Sequence, residues 1–189
     1  MPIGGSIAAY GCAGVLAYQP NPACKTYPAK IAFLAIVKSG ITFTSFADAA
    51  EWATKKTAGD VITLATVGSL GEPSPTEEVG FGAVSSRVTG FDWSFTTMGQ
   101  NLDDNLDFLD RLNKAVNGEY SCIMVTPDYV GFAIGDEVGA GVEWLPVGFT
   151  AIPIIGEDQK TQRKFQITGK WNTMNMLYLA GALPKAAFA

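Results

Sequence analysis

The chain has 189 residues, of which 48% are hydrophobic and 16% charged, with a formal net charge of −5 and no histidine. Histidine is the commonest general base near neutral pH and the commonest metal ligand, so its absence removes Ser-His-Asp triads, Cys-His pairs and His-bearing zinc sites together. The acidic balance, with no clustering of the 13 Lys and Arg, speaks against sequence-specific or any other phosphate-directed nucleic-acid binding.

This length suits one domain with a full core and no need of disulfide staples. The 21 glycines and the many Val, Ile, Thr and aromatic residues predict a mainly β fold. We expect a single β-barrel or β-sandwich domain with one or two flanking helices. No stretch approaches the roughly 18 apolar residues of a membrane helix, and the best, Ile31 to Val37, has strand length. No membrane contact is expected. A mean hydropathy of +0.18 implies apolar surface beyond the needs of a core, which burial against other subunits would remove.

Residues 1–29 hold four prolines and no sustained period, and read as an apolar N-terminal arm. No Lys or Arg precedes Lys25, so the apolar start reads as mature sequence and not as a signal peptide. Cys12 and Cys24 flank Pro20 and Pro22; a bond between them is geometrically possible, with reduced thiols the default. The core domain is expected over 30–171. Lys30 to Lys38 predicts a buried strand, and Ser39-Gly40 turns it toward a second short strand, Ile41 to Thr44, as a hairpin. Ser45 is the expected N-cap of a helix with Phe46, Ala49, Ala50 and Ala53 on one face, Lys55 and Lys56 near its end and Gly59 as its stop.

Val61 to Val67 predicts a strand. Prolines, glycines and acids over 68–82 predict a long loop without regular structure. Val88 to Phe95 puts Phe91, Trp93 and Phe95 on one strand face. A helix over about 101–117 follows from a cap at Asn101, Asp103 and Asp104 in its first turn, Leu102, Leu106, Leu109, Leu112 and Val116 at helical spacing, and Gly118 as its end. Further strands are expected over Tyr120 to Thr126, Tyr129 to Ile134, Val142 to Ile155 and Arg163 to Trp171, with turns at Pro127-Asp128, Gly135-Asp136 and Gly156 to Asp158. Pro146 and Pro153 make the third of these bent or an edge. The last alternates Phe165, Ile167 and Trp171 with a hydrated cationic face of Lys164, Gln166, Thr168 and Lys170. The C-terminal tail, 172–189, can finish the core or dock on a neighbour.

Candidate chemistry is sparse. Asp103, Asp104, Asp107 and Asp110 read as a solvated helix face, because their order matches no calcium loop. Asp136, Glu137, Glu157 and Asp158 sit in acidic turns with little calcium character. Gly11 to Gly14 and Gly139 to Gly141 lack the spacing of a nucleotide loop. Asp92, Glu119 and Glu143 are the strand carboxylates that a glycosidase pair would need, but no spacing selects two of them. Trp52, Trp93, Trp144 and Trp171 fit core positions better than a sugar pocket. Cys122, within Ser121 to Val125, reads as a small buried hydrophobe. We therefore expect no catalytic residues, no cofactor and no metal.

Ser85 to Phe95, the leucine-striped helix, the strands after it, and Lys164 to Trp171 resemble phage virion structural proteins, most closely tail tube subunits. The resemblance covers about residues 60–171. It implies a small β-barrel or sandwich with one helix, and a long loop and terminal arm that touch the next ring. It also implies a non-enzymatic subunit located in the virion, whose partners are copies of itself in rings or a polymer and other virion proteins. Two other expectations are a capsid decoration protein and, from a different class, a carbohydrate-binding or adhesin-like β-domain.

Overall fold

The computed structural model describes residues 30–79, 86–116, 118–138, 141–155, 163–175 and 177–188. The N-terminal arm, with Cys12 and Cys24, lies outside them. The strands are β1 (Ile31–Lys38), β2 (Val61–Leu70), β3 (Ser74–Val79), β4 (Ser86–Gln100), β5 (Tyr120–Val125), β6 (Val130–Ala133), β7 (Gly135–Val138), β8 (Gly141–Trp144), β9 (Gly148–Ile154), β10 (Lys164–Thr173) and β11 (Tyr178–Ala182). The helices are α1 (Ala49–Ala58) and α2 (Leu102–Lys114), and a 3₁₀ turn spans Lys185–Ala187. Antiparallel pairing runs in the order β11-β6-β5-β1-β2-β4-β10-β9, with β3 also on β4, while β7 and β8 form a separate ribbon. The fold is mainly β as expected. The sheet does not close on itself, so it is sandwich-like and not a barrel.

Strand alternation sorts the sheet into two faces. The inner face carries Leu34, Ile36, Cys122, Met124, Trp93, Phe95, Phe165, Ile167 and Trp171, closed by Leu102, Leu109 and Leu112 of α2. α2 is fastened to β9 through Asn113, whose Nδ2 donates to the Ala151 carbonyl at 2.8 Å. The outer face carries Ala35, Val37, Val61, Ile123, Val125 and Ala133, covered by Trp52 of α1, Phe43, and the C-terminal Leu183, Ala187 and Phe188. The tail thus finishes the core: β11 pairs with β6, and the Ala187 carbonyl accepts from Lys56 Nζ at 2.9 Å.

Where β4 meets β10, two glycines each face a phenylalanine: Gly99 opposite Phe165 and Gly169 opposite Phe95. Each ring lies over the glycine beside it, because a Cβ on either glycine would come within 2.2 Å of ring carbon. Trp93 and Trp171, also cross-strand partners, stack at 6.1 Å between ring centroids. Such same-face aromatic pairs are the unit of sheet stabilisation and fix the register here.

Several expectations are corrected. Residues Ile41 to Thr44 form no strand, because both edges of β1 are already taken by β2 and β5. Phe43 instead plugs the outer core. The cap of α1 is Asp48, which accepts from the Ala50 N–H at 2.9 Å, and not Ser45; Gly59 does end the helix, in the left-handed conformation. The segment 68–82 is not a loop over its described part: β2 runs to Leu70 and β3 occupies Ser74–Val79. β3 continues along β4 beyond β2, so its polar, proline-bearing sequence is held by ladder bonds and not by burial.

α2 is shorter than expected. Asn101 stands at its N-cap with no side-chain cap bond, and the helix ends before Ala115 and not at Gly118. Only part of the leucine stripe is buried: Leu106 is 50% and Val116 75% exposed. The stretch Val142 to Ile155 is two strands, broken around Pro146, with Pro153 on an end strand of the sheet. Gly135-Asp136 begins β7 and is not a turn.

Candidate functional site

The carboxylates singled out from the sequence do not converge. Asp92, on β4, accepts from Asn172 Nδ2 at 2.6 Å. Glu119 accepts from the Val116 N–H at 3.2 Å, in the loop before β5. Glu143 is exposed on β8. On α2, Asp103 is held by Arg163 Nη1 at 2.9 Å to each carboxylate oxygen, and Asp110 pairs with Lys114 one turn on. Among the described residues no group of three or more Cys, Asp and Glu could hold a metal ion. Asp136 and Glu137 lie on β7, while Glu157, Asp158, Gly11 to Gly14 and Gly139-Ala140 fall outside the described residues.

The tryptophans are interior. Trp52, Trp93 and Trp171 are buried, and half-buried Trp144 donates its indole N–H to the Ile41 carbonyl. Three of the four are closed to a sugar by burial, and Trp144 lines a shallow pocket of about 470 Å³ with Ile41, Thr42 and Glu143. Cys122 is buried and unbonded, and burial pushes its thiol well above the usual value, so it stays protonated and inert.

Glu51 is the carboxylate with a defined task. Its oxygens accept from the Thr44 N–H at 2.9 Å and the Ser45 N–H at 2.9 Å, and Lys55 lies 3.5 Å away. Burial alone would raise its carboxyl, but the Ser45 and Thr44 amides, with Lys55, outweigh it and hold the group below its ordinary value. This clamp shapes the 43–46 segment so that Phe43 can stack on Phe46 at 4.8 Å and pack on Trp52 at 4.9 Å. The task is structural.

What remains is surface. On the half of the outer face formed by the end of β2 with β4, β10 and β9, no helix or tail covers the sheet among the described residues. Register places Val67 opposite Met98, Met98 opposite Gln166, and Gln166 opposite Ile152, one continuous row across four strands. Val67 is 68%, Met98 46% and Ile152 49% exposed. Around the row lie Thr96, Thr150, Thr168 and the cations Lys164 and Lys170, neither in an ion pair among the described residues. A groove of about 640 Å³ adjoins it, lined by Phe33, Val67, Met98, Gln100 and Asn101 among others. The alternation of Lys164, Gln166, Thr168 and Lys170 announced this face. Val67, Met98 and Ile152 did not, because cross-strand register is absent from local spacing.

No helix among the described residues is long and apolar enough to cross a membrane. No protein-family model, no curated protein and no solved structure matches the chain.

Proposed function

We propose that the chain is a non-enzymatic structural subunit that self-assembles into rings or a tube in a phage virion, in the manner of a tail tube subunit. The observation that carries the self-assembly is the uncovered half of the outer sheet face, with Val67, Met98 and Ile152 in one row. A monomer gains nothing by presenting three large apolar side chains on one sheet face, beside two lysines that form no ion pair among the described residues, and burial by a second copy removes them from water. The virion assignment rests on the sequence resemblance over about 60–171. Contact between this face and a different surface of the next copy is heterologous, and heterologous contacts generate rings or open polymers. The partners are copies of the chain and other virion proteins.

The test is the mass and shape of the purified full-length chain, by light scattering and negative-stain electron microscopy across a concentration series. Rings or tubes are expected. A discrete trimer without tubes would favour capsid decoration, and a monomer up to about millimolar concentration would overturn the proposal.

A further inference from the structure

Among the described residues β9 is an end strand, and an end strand offers a row of unpaired amides and carbonyls to any other chain. In an antiparallel ladder both backbone groups of a residue point the same way, toward the partner strand or away from it. Both groups of Ala151 are taken by one side chain. Its N–H donates to Asn113 Oδ1 at 2.6 Å, and its carbonyl accepts from Asn113 Nδ2 at 2.8 Å. They therefore face away from β10, and the primary amide of Asn113 sits where the next strand would sit. Two residues on, Pro153 faces the same edge and has no N–H to give.

We propose that Asn113 is an edge guard: a side-chain amide carried by α2 that closes β9 to strand addition by a second copy of the chain. Self-association must then use a surface other than this edge. A backbone amide pair is matched by a primary amide because both present one donor and one acceptor in the same plane. Pro153 completes the guard by removing the next outward donor. The inference holds whether or not the chain assembles into rings.

The experiment compares full-length wild type with Asn113→Ala, and with Asn113→Ala combined with Pro153→Val, which restores the missing N–H. Removing the guard is expected to speed amide exchange at Ala151 by about tenfold or more. It is also expected to yield sedimenting, thioflavin-binding material, faster still in the double variant, which negative stain distinguishes from rings or tubes. Ser121→Ala loses the buried bond to the Ile134 carbonyl and serves as a control at matched melting temperature. It should stay clear. Asn113→Ala that stays clear, or aggregates no faster than the control, would overturn the guard, as would unchanged exchange at Ala151. A wild type that remains monomeric sinks the assembly proposal alone.

Discussion

Val61 and Val67 lie on the same face of the same strand, yet Val61 is 2% exposed and Val67 68%. The difference is in what lies above them. Over Val61 sit Trp52, Phe43 and Phe188, delivered by α1, its preceding segment and the tail. Over Val67 and its neighbours Met98 and Ile152 the described chain places nothing. One half of the outer face is thus covered by the described chain, and over the other half the described residues place no cover. Residue type alone does not tell a core position from an exposed one; the covering element does.

Removing the cover should have the largest effect. Trp52→Ala deletes a fully buried side chain that packs on Phe43 and Phe188 and donates to the Phe46 carbonyl at 2.8 Å. We expect a loss of about 3–5 kcal/mol in urea denaturation. Next come the glycines beneath the aromatic rings. Gly169→Ala would set a Cβ about 2.2 Å from Phe95 Cε1 and should cost about 1–3 kcal/mol in the same assay.

Glu51→Gln should cost about 1 kcal/mol, since one charged acceptor for two backbone amides is weakened. The pH dependence has a defined sign. The folded carboxyl titrates below its unfolded value, so its contribution is complete above about pH 4.3 and is lost as pH falls through the folded value. Glu51→Gln should therefore flatten the acid limb of a stability–pH profile and leave the neutral region displaced by a constant. The smallest effect on stability is expected for Met98→Ala on the open half, under about 0.5 kcal/mol, although association should weaken.

The helices were largely legible because their signals are local. Gly59 stops α1, and Leu102, Leu109 and Leu112 mark the buried stripe of α2. The failures share a cause. Ile41 to Thr44 alternates like a strand, but strandhood needs a vacant edge and β1 has none. Ser74 to Val79 looks like a loop, yet β4 is long enough to offer it a ladder. Leu106 and Val116 continue the helical spacing but pass beyond what the sheet covers. Tertiary surroundings decided each case: β2 and β5 lie far from Ile41 to Thr44 along the chain, β3 depends on how far β4 extends, and the sheet sets which turns of α2 are covered. The same holds for the open face: its cationic strand was visible, its apolar row across four strands was not.

The most direct test is to put charge into that row. Full-length wild type and Val67→Lys/Met98→Lys would be compared by light scattering over a concentration series, with melting temperature measured on both. The account predicts a multimeric wild type and a monomeric variant that still unfolds cooperatively, its melting temperature lower only by what association added. Equal masses for the two chains, whether both monomeric or both assembled, would contradict it.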